Sequence, residues 1–160
     1  MQVFDASSMI YAWDNYPIDQ FPGLWEWMTT EIEEKRLVMP SVAFEEVASK
    51  TPECAEWLKN NDLKLFGINN AILQDAKRVK GLLGIVDDNY NPKGVGENDL
   101  LIIAVARANN AELISDEERQ PTPPQVPSKR KIPSVCTMME VSVPCIKFIE
   151  FIKRSQKTFR

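Results

Sequence analysis

Histidine is absent from all 160 residues, which removes Ser-His-Asp and Cys-His nucleophiles, histidine acid-base pairs and imidazole metal ligands together. Any hydrolytic chemistry here must run on carboxylates. Cysteine is scarce: Cys54, Cys136 and Cys145 are odd in number, irregularly spaced and form no CxxC pair, which argues against a disulfide framework or a zinc knuckle. They read as core or surface thiols. No segment approaches the roughly 18 apolar residues of a membrane span, and Met1-Gln2-Val3-Phe4-Asp5 has neither the basic region nor the apolar run of a secretory signal. A cytoplasmic protein with no membrane partner is expected.

What is present is ordinary in bulk, 44% hydrophobic and 26% charged, and fits one domain over residues 1–160. The charge is uneven. Residues 1–115 carry 10 Lys and Arg against 18 Asp and Glu, whereas residues 116–160 carry 9 against 5. A basic tail suits a polyanion, although the overall charge of -4 argues against nonspecific coating of nucleic acid. An unevenly charged, solvated surface explains the same numbers.

Val3 and Phe4 lead into Asp5-Ala6-Ser7-Ser8, a short buried strand ending in an acid and two hydroxyls, with a helix following through Met9, Ile10, Ala12 and Trp13. Asp5 is then either the N-cap of that helix or a site residue. Leu24, Trp25, Trp27, Met28 and Ile32 predict an amphipathic helix to about Glu34, its aromatics serving the core or a dimer surface. Arg36 to Pro40 predicts a second strand. Ser41 opens a helix on which Glu45 and Glu46 face different sides, so one of the two carboxylates lies nearer the buried face.

Residues 52 to 83 read as helical, with a break near Gly67. Asp87-Asp88-Asn89-Tyr90-Asn91-Pro92 is a turn-rich loop whose acids are more simply solvated than ligating. Next comes GENDLLIIAVARANNAELISDEE, residues 96–118: an apolar helix opened by Asp99, an Asn109-Asn110 stop, and a short strand at Leu113-Ile114 ending in Asp116, Glu117 and Glu118. Its two acidic ends meet only if the first turn of the helix lies beside the carboxyl end of the strand. Arg119 to Pro133 holds five of the eleven prolines and the cluster Lys129-Arg130-Lys131. This is an extended connector, solvent-exposed or touching phosphate. Ser134-Val135-Cys136 predicts a last strand, and Pro144 to Arg154 a closing helix.

Four separated places therefore put an acid at a strand end or a helix start: Asp5, Glu46, Asp99 and the Asp116-Glu117 pair. In a parallel α/β sheet such ends share one edge, so these acids can converge in one crevice. Converging carboxylates repel, and a divalent cation relieves the repulsion; oxygen ligands without His or Cys select Mg²⁺ or Mn²⁺. Such a site suits phosphodiester hydrolysis.

The motifs VFDASS, MPSVAFEEV, ENDLLIIAVA and AELISDE, in that order, resemble the PIN domain, the fold of VapC-type toxin ribonucleases. KIPSVC with its following helix resembles a branch of short prokaryotic PIN-like proteins. The resemblance covers nearly the whole chain and implies an α/β, PIN-like fold, a central parallel β-sheet of short strands flanked by α-helices. It implies Asp5 as the first metal-ligating acid with Ser7 after it, Glu46 as the helix-borne glutamate with Glu45 as alternate, and Asp99 as the acid opening the long helix. At the fourth place the family pattern is a hydroxyl residue, one spacer and an aspartate. Ser115-Asp116-Glu117 keeps that spacing but supplies glutamate, so Glu117 is favoured on register and Asp116 is its rival.

The implied activity is a Mg²⁺- or Mn²⁺-dependent endoribonuclease, the toxin of a toxin-antitoxin pair, with Ser7 and Ser115 hydrogen-bonded to the acids or substrate. RNA, with tRNA among the candidates, a cognate antitoxin and a second copy of the chain are the implied partners. Two other classes stay open: a catalytically silent PIN-like scaffold that binds RNA or protein, and an acid-cluster phosphatase. The phosphatase wants Asp-x-Asp early in the chain, where position 7 is Ser.

Overall fold

The computed structural model describes residues 1–160. Five short strands form one sheet in the order β3-β2-β1-β4-β5, every neighbouring pair parallel. They are β1 (Gln2–Phe4), β2 (Leu37–Pro40), β3 (Leu65–Phe66), β4 (Glu112–Ile114) and β5 (Cys145–Ile146). Parallel strands need crossovers. These are supplied by α1 (Ala6–Asn15), α2 (Pro22–Glu33), α3 (Ser41–Lys50), α4 (Pro52–Asn60), α5 (Asn70–Leu82), α6 (Glu97–Ala108) and α7 (Ile132–Cys136), while α8 (Phe148–Ser155) closes the chain. The expected α/β architecture, a parallel sheet of short strands flanked by helices, is present.

The order reverses at β1. From it the chain winds outward to β2 and β3, then returns through α5 and α6 to β4 on the other side. A reversal of this kind opens a crevice at the carboxyl ends of the two strands that flank it, here β1 and β4. Those strands pair in register as Gln2 with Glu112, Val3 with Leu113 and Phe4 with Ile114.

Packing against the sheet explains the apolar runs. In α6 every residue from Leu100 to Ala106 is buried, because the helix touches β1, β2 and β4 as well as α3, α5 and α7. A helix apolar all round is a buried helix. The tryptophans resolve as core: Trp25 packs edge-on to Trp13 at 5.5 Å and to Trp57 at 4.9 Å. Trp27, half-buried, stacks on Phe151 at 5.0 Å.

Three expectations are corrected. The stretch 52–83 is two helices separated by β3, a two-residue strand too short to show alternation, held because Met39 N–H on β2 donates to Lys64 O at 3.2 Å. Ser134-Val135-Cys136 is helix, not strand: Pro133 stands in the first turn of α7, where its fixed φ and missing N–H suit a helix start. The last strand is instead Cys145–Ile146, inside the stretch read as the closing helix. The free edge of β4 captures it, with Leu113 N–H donating to Pro144 O at 2.8 Å and Ser115 N–H to Ile146 O at 2.9 Å. No helix is long and apolar enough to cross a membrane.

Candidate active site

The residue after β1 is Asp5 and the residue after β4 is Ser115, and the pairing of the two strands makes them neighbours. Asp5 N–H extends the ladder by one bond, donating to Ile114 O at 2.9 Å. Asp5 holds the N-cap position of α1, yet its side chain makes no capping bond. Its Oδ2 instead accepts the hydroxyl protons of Ser7 at 2.7 Å and Ser115 at 2.9 Å. The direction of both bonds is locked from behind. Ser7 Oγ accepts from Asp116 N–H at 3.0 Å and Ser115 Oγ from Glu117 N–H at 3.3 Å, so each hydroxyl has its one proton free for Asp5. Both hydroxyls go to Oδ2, and Asp5 lines the cavity beyond it.

That cavity, about 320 Å³, is lined by Asp5, Ser7, Ile10, Glu46, Lys50, Asp99 and Glu117. The acids come from four elements. Asp99 sits in the first turn of α6, where its Oδ2 accepts from Gly96 N–H at 2.9 Å, fastening the helix start. Glu117 follows β4, and its Oε2 accepts from Ile132 N–H at the start of α7 at 3.2 Å. Glu46 projects from α3 and pairs with Lys50 one turn on, at 3.6 Å. Its neighbour Glu45 is exposed and outside the cavity. The first turn of α6 and the end of β4 thus meet at one wall, the condition under which the two acidic ends of residues 96–118 come together.

Burial and mutual repulsion raise the proton affinity of three of these groups. Glu117 is pushed up to about 8, first by burial and then by Asp99 and Asp5, with Ile132 N–H and Lys131 acting against the rise. Asp5 rises to about 6, chiefly by burial, with Asp99 and Glu46 adding to it and the two serine hydroxyls opposing. Asp99 also rises, by burial and by Glu46, eased by Gly96 N–H, Lys131 and Lys50. A cluster held this far from its ionised state has the donor set for a hard divalent cation. Its acids ring the cavity rather than close on one point: no three of them are grouped tightly enough to hold an ion by direct ligation. Oxygen donors without nitrogen or sulfur are the type a hard cation such as Mg²⁺ takes, and Mg²⁺ is commonly held through one or two carboxylates and water.

Asp116 is placed elsewhere. Its Oδ1 accepts from Ser8 Oγ at 2.6 Å and from Phe148 N–H at 2.9 Å, so it ties the end of β4 to α1 and to the start of α8. The alternation of side chains at a strand end sends adjacent residues to opposite sides, and here Glu117 takes the cavity. Asp87 and Asp88 are exposed in their loop. Two cations were not anticipated at the cavity. Lys50 was legible as the partner of Glu46 four residues on; Lys131 belongs to a visible basic cluster, but only the fold of residues 119–131 brings it beside Asp99 and Glu117.

A family described as a domain of unknown function (DUF4411) matches residues 2–159. Curated proteins give no match. Among solved structures, VapBC2 from Rickettsia felis, bound to a DNA fragment from the promoter of its own components, superposes with a TM-score of 0.48 and 18% identity, over 81% of this chain and 96% of that one.

Proposed function

The chain belongs to the DUF4411 family, and for this member we propose a metal-dependent nuclease that hydrolyses phosphodiester bonds in RNA. One observation carries the reading: four carboxylates, Asp5, Glu46, Asp99 and Glu117, arrive from four elements at a single cavity beside the β1–β4 crevice. Without histidine or a cysteine in that cavity, a divalent cation is the group that suits them.

Asp5, Asp99 and Glu117 are the residues to hold Mg²⁺ or Mn²⁺, with Glu46 completing the negative wall. Bound there, the cation would lower the pKa of an attacking water and offset charge on the phosphoryl oxygens. Ser7 and Ser115 hold Asp5 in place through two hydrogen bonds to the same oxygen. Lys50 and Lys131 offset part of the wall's negative charge, Lys131 beside Asp99 and Glu117 and Lys50 beside Asp99, and favour the approach of a polyanion. The motif resemblance to VapC-type toxins extends the proposal to the toxin of a toxin-antitoxin pair, with tRNA among its substrates and a cognate antitoxin as partner.

The test is cleavage of single-stranded RNA by the purified chain with Mg²⁺ or Mn²⁺, beside Asp99→Asn. Metal-dependent cleavage lost in the variant is expected; cleavage that survives chelation, or that the variant retains, would sink the mechanism. A silent scaffold is the second reading, favoured by the absence of a tight three-acid group. A Mn²⁺ titration separates them, because a scaffold with no working site binds nothing at millimolar metal.

A further inference from the structure

A second cavity, about 480 Å³, is walled by three lysines, two prolines, Glu118 and Gln120. Lys93, Lys129 and Lys131 line it, against the single carboxylate of Glu118. It forms where the loop before α6 docks on the proline-rich connector. Val95 N–H donates to Arg130 O at 2.9 Å, and Gly94 lies so close that a Cβ there would stand 2.0 Å from Ser128 O. Gln120 clamps the connector from within: its Nε2 donates to Lys129 O at 3.2 Å and its Oε1 accepts from Lys131 N–H at 2.8 Å. Main-chain groups of Lys129 and Lys131 are thereby occupied, while both residues line the cavity. The connector is a built wall, not a loose linker.

The two cavities are linked along the chain: Ile132 N–H, next to Lys131 of the basic wall, donates to Glu117 of the acidic one at 3.2 Å. Glu117 lines the acidic one and Glu118 the basic one, while Lys131 lines the basic cavity and acts electrostatically on Asp99 and Glu117. A polyanion bound at the acids could thus extend its backbone toward the lysine-lined cavity. No aromatic residue is present for bases to stack on, and lysines are point charges rather than planar forks. The chemistry fits backbone phosphate and carries no base readout.

We propose that Lys93, Lys129 and Lys131 form a phosphate cradle for single-stranded RNA, holding the backbone next to the bond presented to the acids. The substrate class rests on the nuclease reading above; the lysine contacts are testable without cleavage. In the full chain carrying Asp99→Asn, binding of a fluorescent single-stranded oligouridine and of an oligoadenosine is measured by anisotropy from low to moderate salt. Lys93→Gln, Lys129→Gln and Lys131→Gln are each expected to weaken binding about threefold, equally for both sequences, and to lower the salt slope by about 0.7 per lysine. Lys129→Arg should restore affinity, and thermal melting checks that each variant is folded. Folded glutamine variants that bind with unchanged affinity and slope overturn the cradle, as does a parent chain that does not bind RNA. Lysine-dependent binding by a parent chain that never cleaves with metal removes the nuclease reading and leaves the cradle standing; cleavage with lysine-indifferent binding does the reverse.

Discussion

Ser115 gives its hydroxyl proton to Asp5 at 2.9 Å, across the junction of β4 with β1 and 110 residues apart in the chain. Ser115 is fully buried and Asp5 nearly so, so the bond is made where water cannot replace it. Ser115→Ala should cost about 1–2 kcal/mol, the penalty of a buried acceptor losing a partner, and so lower the melting temperature by roughly 2–8 °C for a chain of this size. Because Ser7 donates to the same oxygen, Ser7→Ala and Ser115→Ala should combine non-additively in a double-mutant cycle. Additive losses in thermal melts would show that the two hydroxyls act independently.

Asp116 and Glu117 are adjacent in sequence and opposite in role, and their variants should separate cleanly. Asp116→Ala removes the acceptor for Ser8 Oγ and Phe148 N–H and is expected to destabilise by about 1–3 kcal/mol. Asp116→Asn keeps an oxygen for both donors and should be much milder. Both should leave RNA cleavage per folded molecule close to the parent's. Glu117→Gln should abolish metal-dependent cleavage while raising stability, since it removes a carboxylate that burial and its neighbours disfavour. Loss of cleavage in folded Asp116→Asn, with Glu117→Gln active, would reverse the assignment.

How far the sequence carries follows from which interactions are local. Asp5, Asp99 and the helix holding Glu46 were legible because each sits where a hydrophobic pattern changes period, and a parallel α/β sheet gathers such places at one edge. Between Asp116 and Glu117 the register favoured Glu117 without removing its rival, because what occupies Asp116 is Phe148, brought in by α8. Neither β3 nor β5 could be read: each has two residues, and each exists because a neighbouring strand edge offers hydrogen bonds, not because its own residues alternate. The stretch from Arg119 to Pro133 read as an extended connector by composition, and the clamp by Gln120 has no signature in the residues around it.

The raised carboxylates set the pH dependence of the metal-free protein. Asp5 moves from 3.8 to about 6 and Glu117 from 4.5 to about 8, so within those windows the native state binds more protons than the unfolded chain. Stability then falls as pH rises. The penalty is absent below the unfolded pKa values, grows through the window, and is complete above about pH 8. Denaturation midpoints in chelator should therefore decline from about pH 4.5 to 8, a range set by the Glu117 shift, and Glu117→Gln should flatten much of that decline. A midpoint that climbs over the same range would contradict the proton accounting.

Divalent cation should reverse that decline, and the direction follows from the same groups. A cation binds the ionised carboxylates and not the protonated ones, so Mg²⁺ or Mn²⁺ has to displace protons from Glu117 and Asp5 before it is held. At pH 5 protons would compete strongly with the cation for these two groups; near pH 8 they would compete little. Millimolar Mn²⁺ is accordingly expected to raise the melting temperature more at pH 8 than at pH 5, by an amount that grows with metal concentration as native-state binding requires. Asp99→Asn should blunt the response, while Asp116→Asn, whose side chain serves Ser8 and Phe148, should not. Equal stabilisation of the Asp99→Asn protein would place the ion outside the cavity, on acids such as the exposed Asp87 and Asp88.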